Sequence, residues 1–321
     1  MPRKVQNIHD KFIKELLSNR EVAESFLREY LPQQVVALLD FGTMIYLNTS
    51  YLSKQLQASY SDMVWQISTL ESETIRVSVL LEHKSYPDAN VAFQMLEYIA
   101  LGYQTQLKNK QKLELILPIL YYHGQEKWHF RSISQHFENL SDEFKTYIPT
   151  YTTEFIDLNA LNQQQILGLR HGLLRAALLL QQNYYSAEGL NNSIKNILES
   201  LNPYLDLNPT EFIFVYMIQN GKLNKVQLEE SLKILPPPFS DKIMSIYDEL
   251  IQEGRIEGIQ EGIKRGIEQG IQQGIVKGAE QNRINTILNA FDNGVDLNLI
   301  RVISGESMEN IKDILRENNR I

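Results

Sequence analysis

Residues 61–84 read SDMVWQISTLESETIRVSVLLEHK, two largely apolar and β-branched stretches (62–67 and 75–81) on either side of the polar Glu71-Ser72-Glu73. That is the pattern of a β-hairpin. If the chain turns about Ser72, each residue pairs with its mirror image across that position, which sets Asp62 opposite Glu82. Directly opposed side chains on one sheet face have Cβ atoms about 4.5–5.5 Å apart, and like charges there repel. Two carboxylates so placed call for a compensating cation, a divalent metal or a lysine. Lys84 follows Glu82 by two residues, so strand alternation puts it on the same face and turns His83 to the other. Asp62, Glu82 and Lys84 thus form a candidate site. The competing reading is an edge hairpin whose charged face lies in solvent, with Glu82 and Lys84 an incidental pair.

Composition narrows the classes around this hairpin. In 321 residues, 43% hydrophobic and 22% charged content suits a soluble globular chain, and the absence of cysteine excludes disulfides, zinc–thiolate sites and thiol nucleophiles. The first residues, MPRKVQNIHDKF, lack the apolar segment of a secretory signal, and no uninterrupted apolar run reaches membrane-spanning length. A cytoplasmic location is the simplest expectation. The net charge of −8 argues against a general nucleic-acid-coating protein. It is unevenly spread, with 13 Lys/Arg against 14 Asp/Glu in residues 1–130 and 18 against 25 in the rest. The hairpin half is near neutral despite its acids, which leaves room for a polyanionic substrate.

Working outward, residues 9–30 have helical apolar spacing (Phe12, Ile13, Leu16, Leu17, then Val22, Phe26, Leu27) with a break at Ser18-Asn19. Asp10 reads either as a helix N-cap or as a site residue. Residues 36–53 look strand-like in their second half. After Lys84, Ser85-Tyr86-Pro87-Asp88 is a turn leading into an amphipathic helix over 89–108, on which Gln94 could point back to the hairpin ends. Leu113–Tyr122 reads as a buried central strand, its Pro118 suggesting a bulge. His123, just beyond, could approach the edge of the site. Residues 131–150 read as helical, 151–158 as one more strand, and the remainder as helices. The order is helix, three strands, helix, strand.

Two carboxylates can hold Mg²⁺ (or Mn²⁺ or Ca²⁺ in its place) through hard oxygen ligands and leave room for water and a phosphate oxygen. The lysine can position that water or offset developing negative charge. Several motifs add to this: HDKF at 9–12, SDMVW at 61–65, LLEHKS at 80–85, and LPILYYHGQEKW at 117–128. Together they resemble the Rpn family of recombination-promoting nucleases, also described as PD-(D/E)XK transposases, over roughly residues 8–200. The resemblance implies an α/β fold with a PD-(D/E)XK nuclease-like core of mixed sheet flanked by helices. It implies catalytic roles for Asp62, Glu82, Lys84 and Gln94, with Asp62 and Glu82 as metal ligands and Asp10 as a supporting candidate; His123 is a second supporting candidate from its place at the strand end. The function implied is a Mg²⁺-dependent endonuclease acting on DNA. Ser61-Asp62 stands where the superfamily's name has Pro-Asp. A catalytically inactive member that works through its C-terminal helices is the alternative.

From Gly254 to Gly278 glycine recurs every fourth residue, usually followed by isoleucine. Seven glycines would cost an isolated helix about 7 kcal/mol relative to alanine, at ~1 kcal/mol each. Small residues at i, i+4 allow close backbone approach, so this stretch reads as a self-association helix giving a homodimer or higher oligomer; a partly ordered tether is the alternative. The interleaved charges exclude a membrane span. The expected organisation is a nuclease core at 1–160, a helical extension at 161–253, the repeat helix at 254–280, and a small three-helix module at 281–321. The last helix mixes Glu309, Asp313 and Glu317 with Lys312 and Arg316, a poor surface for phosphates.

Overall fold

The computed structural model describes residues 2–47, 63–137, 139–206, 208–219, 222–223 and 225–321. The chain forms two compact units, Met1–Asp248 and Glu249–Ile321. In the first, helices α1 (Pro2–Ser18), α2 (Arg20–Tyr30) and the short α3 (Gln33–Val36) precede strands β1 (Leu39–Leu47), β2 (Met63–Thr69) and β3 (Ser72–Lys84). Helix α4 (Val91–Lys108) and β4 (Leu115–Tyr122) follow, then the single-turn α5 (Asp142–Lys145) and β5 (Glu154–Asp157). The α1–α2 break falls where the sequence places it, because the Asn19 side chain accepts the backbone N–H groups of Glu21 and Val22 and restarts the helix.

The five strands lie in sequence order, β1-β2-β3-β4-β5. β1/β2 and β2/β3 are antiparallel; β3/β4 and β4/β5 are parallel, with α4 as the crossover between β3 and β4. The hairpin register is the expected one: Met63 pairs with Leu81, and the ladder continues to Ser68 and Arg76, each pair mirrored across Ser72. The turn itself is Leu70-Glu71, with Thr69 paired to Ser72 after a register shift. Ser72 and Glu73 therefore belong to β3.

Three other expectations are corrected. The first strand, at 39–47, begins earlier than the second half of residues 36–53, because a register shift between Asp40 and Ile45 obscures the two-residue period there; residues 48–53 lie outside the described residues. The bulge expected at Pro118 is absent from the β3–β4 ladder, which runs without slip from Val77/Leu115 to Lys84/Tyr122. β5 pairs with β4 only from Ile119 onward, so Pro118 has a ladder on one side alone, and a proline is tolerated there. Residues 131–150 hold one 3₁₀ turn at Ile133–His136 and the four-residue α5 in place of a longer helix.

Each face of the sheet is covered. On one, Val64, Leu120 and Tyr122 pack with Val91, Met95 and Tyr98 of α4 and with Trp128. On the other, Phe26 of α2 meets the Tyr121 ring, and the Tyr121 hydroxyl donates to Gln181 at 2.7 Å. Gln181 lies on α7 (Gly172–Asn183), most of whose residues are buried. After α6 (Gln163–Leu167) and α7 come α8 (Ala187–Leu201), α9 (Asn208–Gln219) and α10 (Lys225–Leu232). Phe12 of α1 stacks on Tyr216 of α9 at 3.8 Å between centroids.

Residues 237–292 form one helix, α11 (Pro237–Asp292), where the sequence suggested three (240–253, the repeat at 254–280, and the first of the three short helices beyond it); Pro236-Pro237-Pro238 initiates it, as proline in a first helical turn can. In the second unit its C-terminal part packs Ile287 against Ile300 of α12 (Leu297–Ser304) and Ile311 and Leu315 of α13 (Met308–Glu317). The breaks fall at Gly294 and Gly305, both with positive φ (79° and 71°). No helix among the described residues is long and apolar enough to cross a membrane.

Candidate active site

The C-terminal end of β3 carries the site. Glu82 and Lys84 face α4 through Gln94, while His83 turns to the other face, against the Tyr121 and His123 rings (the alternation of a strand applied to three consecutive polar residues). Both are buried: Glu82 is 2% exposed and Lys84 9%. Lys84 Nζ lies 3.0 Å from Glu82 Oε1 and 3.1 Å from Asp88 Oδ2, and it donates to Gln94 Oε1 at 2.9 Å. All three ammonium hydrogens thus have an acceptor. Burial alone would pull the Lys84 ammonium down, but the Glu82 and Asp88 carboxylates together hold it above the usual lysine value.

Gln94, four residues into α4, does point back to the hairpin end. Its amide donates to Glu82 Oε1 at 3.1 Å and to the Tyr98 hydroxyl one turn along the helix. One side chain therefore fixes both the acid and the lysine. Glu82 Oε1 is fully engaged, whereas Oε2 is buried and has no hydrogen-bond partner among the described residues.

The remaining sequence candidates divide. Asp62 lies outside the described residues. Asp10 is neither an N-cap nor in contact with Glu82. It sits within α1, which begins well before it, and pairs with Lys14 at 2.9 Å. His123 does not approach the acid–lysine cluster either, because the strand alternation that puts Tyr122 beside α4 sends His123 to the far face. There it stacks on His83, centroids 4.8 Å apart. His9, in turn, lies 4.7 Å from His123, with its ring nitrogens 2.5 Å from the Tyr216 hydroxyl and 3.1 Å from that of Tyr185. Desolvation pushes all three imidazoles down, His9 to about 4 and His83 to about 3.

Two members of the cluster escaped sequence reasoning. Asp88 reads as a turn residue after Pro87, and so it is, but only one of its oxygens serves the turn. Tyr98 reads as part of an apolar helix face, which it also is; its hydroxyl is the part that matters. The spacing Glu82-x-Lys84-x₃-Asp88 could have drawn attention to the second acid.

Residues 7–209 match the family described as "Putative transposase, YhgA-like". The chain belongs to this family. The YhgA-like match spans the same part of the chain from which the Rpn resemblance was read, and the curated relatives agree with it. Recombination-promoting nuclease RpnA of Escherichia coli (strain K12) is 27% identical over 252 residues, covering 77% of this chain and 84% of the relative. Inactive recombination-promoting nuclease-like protein RpnE of the same strain is 26% identical over 255 residues, covering 77% and 82%. Recombination-promoting nuclease RpnC, again from that strain, is 30% identical over 118 residues, covering 36% and 39%. No solved structure matches the chain.

Proposed function

We propose that the chain is a metal-dependent endonuclease that hydrolyses phosphodiester bonds in DNA. The observation that carries this reading is the Glu82 carboxylate, which is buried and braced on Oε1 by Lys84 and Gln94 and has Oε2 without a partner among the described residues. An unsatisfied buried acceptor costs roughly 1–3 kcal/mol, more when charged. A ligand that accepts its lone pairs would offset that cost, and a carboxylate oxygen is the donor type that Mg²⁺, Mn²⁺ and Ca²⁺ take.

The donor chemistry fits such a cation. No group of three His, Asp or Glu able to hold a metal gathers among the described residues, so the ligand set proposed is Glu82 with Asp62, completed by solvent and phosphate oxygens. When bound, the cation would supply Lewis-acid polarisation of the phosphodiester. The protein's own groups do the rest. Lys84 is charged, and by exchanging one of its present acceptors it can donate to a water or a phosphate oxygen and offset charge as the bond breaks. Gln94 keeps Glu82 and Lys84 in register with each other, and Tyr98 keeps Gln94 in place. A relative named as a nuclease over most of both chains supports the reading.

The second reading, a catalytically inactive member, is favoured by the name of RpnE, which matches over the same share of the chain. Against it stands the bonded set of Glu82, Lys84 and Gln94. Nicking of supercoiled plasmid DNA with Mg²⁺, with and without a chelator, decides between them. Wild type should nick, and the chelator, Glu82→Gln or Asp62→Ala should each abolish it. Nicking that survives both chelator and substitution would sink the metal-site reading. A competing RNA substrate tests the preference for DNA.

We infer as well that residues 254–278 pair with a second copy of the chain. The seven repeat glycines have nothing within 4 Å of an added Cβ, and Ile259, Ile263, Ile267, Ile271 and Ile275 are all exposed. Sedimentation of the full chain should show an oligomer that Ile263→Lys/Ile267→Lys dissociates; an unchanged sedimentation coefficient would remove the idea.

A further inference from the structure

Of the three acceptors around the Lys84 ammonium, Asp88 comes from a different element than Glu82 and Gln94. It lies in the segment between β3 and α4, and its two oxygens have separate tasks. Oδ1 accepts the Asn90 N–H at 2.9 Å, closing a turn just ahead of α4, and Oδ2 meets Lys84 Nζ at 3.1 Å. A carboxylate held at one oxygen by its own backbone has little freedom to swing, so Oδ2 is aimed.

We propose that Asp88 is a positioning residue that keeps Lys84 at the site when a cation engages Glu82; this rests on the nuclease reading above. Lys84 is attracted by both Glu82 and Asp88. A divalent cation on Glu82 takes up that carboxylate's charge and repels the ammonium. Lysine has a flexible four-carbon stem and no rigid fork to hold it. Gln94 is neutral and cannot balance the repulsion. Among the described residues Asp88 is the remaining anion in contact with Nζ, and its contact with the Asn90 backbone keeps it from following the cation. The charge on Oδ2, as distinct from the turn at Oδ1, is what holds the lysine.

Asp88→Asn separates the two tasks, since an asparagine oxygen still accepts from Asn90 N–H while the charge is gone. Two readouts test it on the full chain. In amine labelling with limiting acetic anhydride, followed at peptide resolution with exposed Lys108 as the internal reference, wild-type Lys84 should stay protected with and without saturating Mg²⁺. In Asp88→Asn it should label several-fold faster, most of all with Mg²⁺ present. Equal Lys84 labelling in the two proteins overturns the proposal, whatever the activity. In plasmid cleavage, Asp88→Asn should lower kcat by about tenfold, the scale of lost outer-shell support, with KM unchanged. A change in KM alone would also overturn it. If wild type cleaves nothing while the labelling difference is present, the nuclease reading falls and the positioning role stands.

Discussion

His83 and His123 stack face to face, their ring planes 7° apart and their centroids 4.8 Å apart, on the side of the sheet away from Glu82. His9 continues the column, and neither His123 nitrogen nor His83 Nε2 has a hydrogen-bond partner among the described residues. His9 and His123 are buried and His83 is partly so, and desolvation holds all three below the ordinary histidine value of 6.5 and keeps them neutral. A lowered histidine contributes stability that is complete above the unfolded value and is lost as pH falls towards the folded one. Stability should therefore decline from about pH 6.5 downward. His9 alone, lowered to about 4, accounts for roughly 2 kcal/mol between pH 7 and pH 5 at 1.36 kcal/mol per unit. Urea unfolding at the two pH values checks this, and His9→Phe should flatten part of the slope.

Lys84→Met should destabilise the chain as well as silence the site. Its ammonium neutralises Glu82 at 3% side-chain exposure, and removing one partner of a buried pair costs about 3–5 kcal/mol. Glu82→Gln keeps the shape and the contact with Gln94, so its cost should be smaller. Chemical denaturation of the two variants ranks them.

Gly124→Ala should be harmful although it removes no charge. A Cβ there would run into the Ser85 carbonyl and the Tyr122 ring, which border the end of β3. Overpacking of that kind costs about 1–3 kcal/mol, and the displaced Ser85 should disturb Lys84 next to it. Loss of both stability and plasmid nicking is expected.

Gly266→Ala should act in the opposite sense. An added Cβ at Gly266 meets nothing within 4 Å, and alanine favours a helix by about 1 kcal/mol over glycine. Circular dichroism should show the α11 region melting at a higher temperature. If two copies approach along the glycine stripe, the same substitution weakens their association in sedimentation.

Much of this architecture is legible in the sequence because local rules agree with the global fold. The hairpin register follows from two β-branched stretches mirrored about Ser72, and the α1–α2 break from an asparagine that caps. The opposite orientations of Glu82 and His83 follow from alternation alone. The misreadings share a cause, which is tertiary context at short range. β1 hides its period behind a register shift near Asp40, and Pro118 is regular because of where β5 begins. Asp10 looks like a cap because it stands just before the strongly apolar turn of Phe12 and Ile13, whereas α1 has already begun at Pro2. At the site, Asp88 and Tyr98 went unread because each already had a sufficient local explanation, a turn and a core face. Their second contacts depend on how α4 returns across the sheet.

Leu81, Glu82, His83 and Lys84 occupy consecutive positions, and each is made for the face it meets. A slip of β3 by one residue would exchange the two faces. It would drive a carboxylate and an ammonium among Tyr121 and the histidines, and bring an imidazole to Gln94. Neither face tolerates the exchange. The four residues therefore act as a reading-frame check on the sheet. Deleting a single residue from the Leu70-Glu71 turn should leave the hairpin's composition almost unchanged and yet prevent the domain from folding, because no second register satisfies both sides of the strand.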